Sequence, residues 1–180
     1  VNAGLLALST LQGEERRRLL GAWVNSGRGT PIIPRADSLV DFIAERLPDP
    51  SPELALCRVE QLTLRAAYRA KAFKAPEAAL LNQDSIVCRA RHAGVVMFPG
   101  GSELVLKRLL PLYPLPSRPP KATPLLVAPG MQPLLRVASE AECETWTSLP
   151  RPTVVSDLLR TGGSLDVVGT LLRLGALDYA

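Results

Sequence analysis

Histidine is almost absent from this sequence: His92 is the single one among 180 residues. A metal site built on two or more histidines of the chain is therefore impossible, and a nucleophile assisted by histidine would have to use His92 alone, with no carboxylate close by in sequence. Cysteine is nearly as sparse. Cys57, Cys88 and Cys143 lie far apart and form no CxxC pair, which fits neither a disulfide framework nor a zinc site. Buried or idle thiols are expected. Long apolar runs are missing too, so no segment has the length of about eighteen residues that spans a bilayer. The N-terminal residues lack the basic stretch, apolar core and small-residue cleavage site of a secretory signal. The expectation is a soluble cytoplasmic protein with no membrane partner.

What is present suits a folded chain, because 47% of the residues are hydrophobic and the length allows one domain or two small ones. The net charge of +4 is unevenly spread: +2 over residues 1–81, +4 over 82–125 and −2 over 126–180. A nucleic-acid-binding module at the C-terminal end would need the opposite distribution.

Helical periodicity marks the first eighty residues. Glu14 and Glu15 precede Arg16, Arg17 and Arg18, with Leu19, Leu20 and Trp23 at spacings of three and four. Asp37 or Ser38 can cap a short helix bearing Leu39, Phe42, Ile43 and Leu47, closed by Pro48 and Pro50. The longest helix is expected from about Pro52 to Phe73, on the period of Leu56, Val59, Leu62, Ala66, Ala67 and Ala70. Its run of Arg58, Arg65, Arg69, Lys71 and Lys74 reads as a solvated face, or as a surface for an acidic partner.

Strand-like runs follow at Ile86 to Cys88 and Val95 to Phe98, while Leu104 to Leu110 suits helix or strand. Six prolines between Pro111 and Pro124 then hold the chain extended. Leu125 to Ala128, the turn Pro129-Gly130, and Met131 to Val137 read as a β-hairpin. Pro133 cannot donate to a ladder, which puts the second strand at a sheet edge or gives it an irregular pairing. Ser139-Glu140-Ala141-Glu142 is a capping box opening a helix with Cys143 and Trp146. A second helix near Val154 to Arg160 stops at Gly162-Gly163, and a third runs from Ser164 to Leu174 and ends at Gly175.

This order predicts an α+β chain in three parts: a helical domain over 1–81, a strand-containing, Pro-rich connector over 82–124, and a winged-helix-like module over 125–180 made of a β-hairpin or three-stranded sheet plus three helices. Such a module has two common uses. DNA binding needs base-reading and phosphate-binding side chains on the last helix, and this helix offers Asp166 near its start and Arg173 near its end. Peptide capture needs an open sheet edge and an apolar groove. The candidate peptide-binding residues are Met131, Gln132, Leu134, Leu135, Arg136 and Val137 on the edge strand, with Val168, Leu171 and Leu172 from the last helix. The helix positions read equally as core, whereas Arg136 is better explained by a binding partner than by burial. No catalytic or metal-ligating residue stands out.

The same order looks like the precursor-peptide recognition element of enzymes that modify ribosomally made peptides. The segments LVDFIAERLPDPSPELALCRVEQLTLRAAYRAKAF, VVMFPGGSELVLKRLLPLYPLP and LLVAPGMQPLLRV…VVSDLLRTGGSLDVVGTLLRLGAL together resemble the MbnC family, partner subunits of the methanobactin biosynthesis oxidase, over about Leu39 to Leu177. The resemblance implies a non-catalytic subunit in a heterodimer with an MbnB-type multinuclear non-haem iron oxidase. It implies binding of the leader of an MbnA-type precursor, whose cysteines the oxidase converts to oxazolone and thioamide groups. The iron would belong to the partner, and no cofactor is expected in this chain. The alternative is a winged-helix DNA-binding regulatory protein.

Overall fold

Ser51, Pro52 and Glu53 start the longest helix. The Ser51 hydroxyl accepts a hydrogen bond from the Leu54 N–H at 3.2 Å, proline occupies the first helical position where no N–H is needed, and Glu53 suits the positive end of the dipole. This helix, α1, spans Pro52–Ala70 in the computed structural model, which describes residues 14, 17–19, 22, 25, 42, 43, 45–47, 50–76, 81–110 and 122–180. Leu20, Trp23, Asp37, Ser38, Leu39 and the proline-rich stretch from Pro111 to residue 121 lie outside the described residues.

The elements that follow it are β1 (Ile86–Arg89), β2 (Gly94–Pro99), α2 (Glu103–Leu109), β3 (Ala122–Val127), β4 (Leu135–Val137), α3 (Glu140–Thr147), β5 (Thr153–Val154), α4 (Val155–Arg160), α5 (Leu165–Arg173) and β6 (Leu177–Tyr179). The chain is thus α+β, and the ambiguous segment at 104–110 is helical. Among the described residues two three-stranded sheets form, in the orders β5-β1-β6 and β2-β3-β4.

The chain divides into two compact units, one of residues 1–61 with 97–123 and one of residues 62–96 with 124–180. In the first unit Phe42, Ile43, Leu54, Val59, Phe98 and Leu106 are buried. Cys57 is buried with them, and the Arg46 guanidinium stacks 3.5 Å over the Phe42 ring.

The second unit has β1 at the centre of the sheet β5-β1-β6, antiparallel to both neighbours, with Val87 opposite Thr153 on one side and Tyr179 on the other. Val87, Leu126, Trp146, Val155, Leu158 and Leu177 are in its hydrophobic core. Arg89 ties this sheet to α3: its guanidinium donates to the carbonyls of Trp146 at 2.9 Å and Thr147 at 3.2 Å, at the negative end of that helix.

Both glycine stops work by the same geometry. After α4, Gly162 (φ 96°) and Gly163 donate back to the carbonyls of Leu159 and Leu158; after α5, Gly175 (φ 69°) and Ala176 donate to Leu172 and Leu171. These are paired Schellman bonds, which turn the chain sharply and satisfy carbonyls the helix leaves open.

Candidate functional site

The hairpin expected from Pro129-Gly130 forms, with β3 and β4 antiparallel and Leu126 opposite Arg136. Its second strand is shorter than the expected Met131 to Val137. Residues 131–134 are irregular, and pairing starts only beyond Pro133, which lacks the N–H that a ladder requires. Among the described residues β4 pairs with β3 alone.

The hydrogen-bond pattern fixes which backbone groups face the other way. Ala128 donates to the Leu134 carbonyl at 3.0 Å and Ala138 to the Pro124 carbonyl at 2.9 Å. The N–H and C=O groups of residues 134, 136 and 138 therefore point to β3, and those of Leu135 and Val137 point outward along the open edge. One of these outward groups, the Val137 carbonyl, accepts from the Arg136 guanidinium at 2.9 Å.

Arg136 has its partner within the chain. Its guanidinium donates to both carboxylate oxygens of Glu142, at 2.8 and 2.6 Å, and Glu142 also accepts from the Ser139 N–H at 2.9 Å as the second half of the capping box. The hydrogen bonds from Arg136 hold the Glu142 carboxyl down at about 2, against the opposing effect of burial. Arg136 is correspondingly held more firmly protonated, first by its hydrogen bond to Glu142. The ion pair thus fastens the edge strand to the first turn of α3.

Met131, Gln132 and Leu134 line an open cleft of about 530 Å³, together with Pro129, Gly130, Pro133 and, from α1, Ala67 and Ala70. Gln132 is exposed and Leu134 half-buried, whereas Met131 turns inward and is only 6% exposed. Leu135, Arg136 and Val137 are all half-buried.

The helix residues do not line this cleft. Val168, Leu171 and Leu172 are buried in the hydrophobic core, so the packing of α5 accounts for all three. Leu126, Ala128 and Met131 of the hairpin belong to the same core cluster as these residues. The turn adds a further link: the Gly130 N–H donates to the Leu174 carbonyl at 2.9 Å, and the Phe73 ring packs against Gly130 and Gly175.

No protein-family model matches the sequence, and no curated protein is matched by it. Among the described residues no group of three or more His, Cys, Asp or Glu could hold a metal ion, and no helix is long and apolar enough to cross a membrane.

Ala67 and Ala70 were legible only as part of a helix's apolar face. The available signal was the disappearance of acids after Glu60: residues 62–76 carry Arg65, Arg69, Lys71 and Lys74 and no carboxylate.

Proposed function

We propose that the chain is a non-catalytic docking subunit that holds the leader of a ribosomally made, MbnA-type precursor peptide for a separate MbnB-type iron oxidase. The observation that carries this reading is the one-sided pairing of β4, with outward N–H and C=O groups at Leu135, directly after the cleft-lining residues 129–134. An extended peptide can add a strand there, its main chain supplying affinity and the cleft selecting side chains. The oxidation of cysteine to oxazolone and thioamide groups would take place on the iron of the partner.

The finer, winged-helix-like assignment of the second unit belongs to the same proposal. Its support is the order helix, strand, helix, glycine turn, helix, strand over α3 to β6, with β1 supplying a central third strand from upstream. As a DNA reader this unit is poorly equipped, because Asp166 and Arg173 are the only exposed residues of α5 and the Arg173 guanidinium donates to the Thr170 hydroxyl at 2.9 Å.

The test is co-expression with the genomic neighbours, purification, and calorimetric titration of the leader peptide into the complex. An iron protein should co-purify, and Leu134→Asp should weaken leader binding without separating the subunits. Unchanged leader affinity in that variant would sink the proposed edge. Tight binding of duplex DNA at about 50 mM salt, falling steeply as salt rises, would favour the DNA-binding regulator instead.

A further inference from the structure

A second cavity, of about 150 Å³, lies within the second unit and shares no lining residue with the cleft of residues 129–134. One wall is a face of α3 with its C-cap, where Ala141, Glu144, Thr145 and Ser148 recur at spacings of three and four. The other wall is Leu158 of α4, the glycine turn after that helix, and Ser164, the N-cap of α5. Thr145 and Leu158 are buried, whereas Glu144, Ser148, Thr161 and Ser164 are exposed, so the cavity is a recess with a solvated rim.

The polar groups of the recess are acceptors first. The Ser148 hydroxyl donates to the Glu144 carbonyl at 2.9 Å and the Thr161 hydroxyl to the Leu158 carbonyl at 2.9 Å, which leaves both oxygens only their accepting lone pairs. Glu144 carries the one charge among the lining residues. Among the described residues the hydroxyl of Thr145, a residue only 5% exposed, makes no hydrogen bond, and the Ser164 hydroxyl does not cap α5. A hydroxyl at the buried end of a recess calls for a partner. The surroundings are negative as well. Glu140 lies one turn from Glu144 on α3, Arg160 is paired with Asp157, and Asp166 in the first turn of α5 opposes the positive partial charge of about half a unit at the start of that helix.

We propose that this recess, independently of the strand edge, binds a primary alkylammonium group, its three N–H donors shared among the Glu144 carboxylate and the Thr145 and Ser164 hydroxyls, with the carbon stem against Ala141 and Leu158. Three donors in a tetrahedral arrangement match acceptors on both walls, whereas the flat fork of a guanidinium matches a single carboxylate. The volume suffices, since an engineered cavity of about 150 Å³ admits benzene, which has more heavy atoms than butylammonium. A lysine side chain and a free small amine both carry this group, and the chemistry that recognises it is the same.

The experiment follows amide chemical shifts of the isotopically labelled full chain during titration with n-butylammonium, and with butanol, butyrate and butylguanidinium as controls. Butylammonium should shift the amides of residues 141–148 and 161–164 and bind about tenfold more tightly than butanol. Glu144→Gln should weaken it about tenfold and Thr145→Val about threefold, each with a native spectrum away from the recess. Asp178→Asn, exposed on β6 and outside the recess, should leave it unchanged. A doubly blocked lysine, acetylated at its α-amine and amidated at its carboxyl, separates the two sources: binding as tight as that of butylammonium assigns the recess to a lysine side chain, and binding about tenfold weaker assigns it to a free amine. Butanol binding as well as butylammonium, tighter binding of butyrate or butylguanidinium, or no shift around the recess at about 20 mM butylammonium would overturn the proposal.

Discussion

Arg136 and Glu142 form a two-point ion pair in which both carboxylate oxygens accept from one guanidinium, joining the last strand of the hairpin to the helix that follows it. Glu142 is 6% exposed, so removing its partner would leave a buried carboxylate. The same carboxylate closes the capping box on the Ser139 N–H. One side chain therefore sets both the start of α3 and the attachment of β4.

Acid should reveal this pair. The Glu142 carboxyl is lowered from 4.5 to about 2 on folding, so its contribution is fully present above about pH 4.5 and is lost as pH falls toward 2. With allowance for solvent around the partly exposed Arg136, that contribution is about 1–2 kcal/mol. Urea denaturation of Glu142→Gln at pH 7 should show a loss of this order, and the gap from the unsubstituted chain should shrink by pH 3. A gap that is constant with pH would mean that the carboxylate charge is not what stabilises the fold.

Leu171 and Leu134 should behave oppositely, although both were candidates for one groove, Leu171 reading equally as core. Leu171 has no exposed surface, and Leu171→Ala should cost about 2–5 kcal/mol in urea denaturation through lost burial and the cavity left behind. Leu134 is half-buried at the cleft. Leu134→Asp should keep native far-ultraviolet circular dichroism and a stability within about 1 kcal/mol of the parent.

That contrast shows what was legible in the sequence. Local signals carried well: the Ser139–Glu142 capping box, the glycine stops at Gly162 and Gly175, and the Pro129-Gly130 turn each depend on a few adjacent residues. Partnership over distance did not. Periodicity gave the apolar face of α5 but not what covered it, because a core and a groove require the same leucines at the same spacing. Arg136 was assigned to a binding partner because the capping box already used Glu142, and nothing local indicates that one carboxylate serves both. The division into units was also hidden, since α1, β2 and β3 each span a boundary between them.

Cys57 should be inert in the folded chain. Burial, with Glu60 and Glu53 adding to it, pushes its thiol up to about 12, so almost no thiolate exists near neutral pH. In iodoacetamide labelling followed by peptide mass spectrometry at pH 8, Cys57 should remain unmodified under native conditions and react readily in urea. Native labelling at Cys57 as fast as in urea would show that α1 opens locally where the structure has it packed.

Gly130 and Gly175 should both resist replacement. A Cβ on Gly130 would stand 2.8 Å from the Phe73 ring and 2.9 Å from the Leu174 carbonyl oxygen, which the Gly130 N–H itself uses. The ring could turn aside, but the carbonyl belongs to the end of α5 and cannot retreat without breaking that bond. At Gly175 the φ of 69° adds a backbone cost to contacts of 2.5 Å with Phe73 and 2.9 Å with Pro129. Gly162, at φ 96°, has nothing within 4 Å of an added Cβ and serves as the control. Gly162→Ala should cost about 1–2 kcal/mol from backbone conformation alone. Gly175→Ala should cost more than that, by about 1–3 kcal/mol of overpacking. Equal losses at 162 and 175 in urea denaturation would mean that the hairpin tip does not press on the end of α5, and the path by which β4 is held to the core would have to be redrawn.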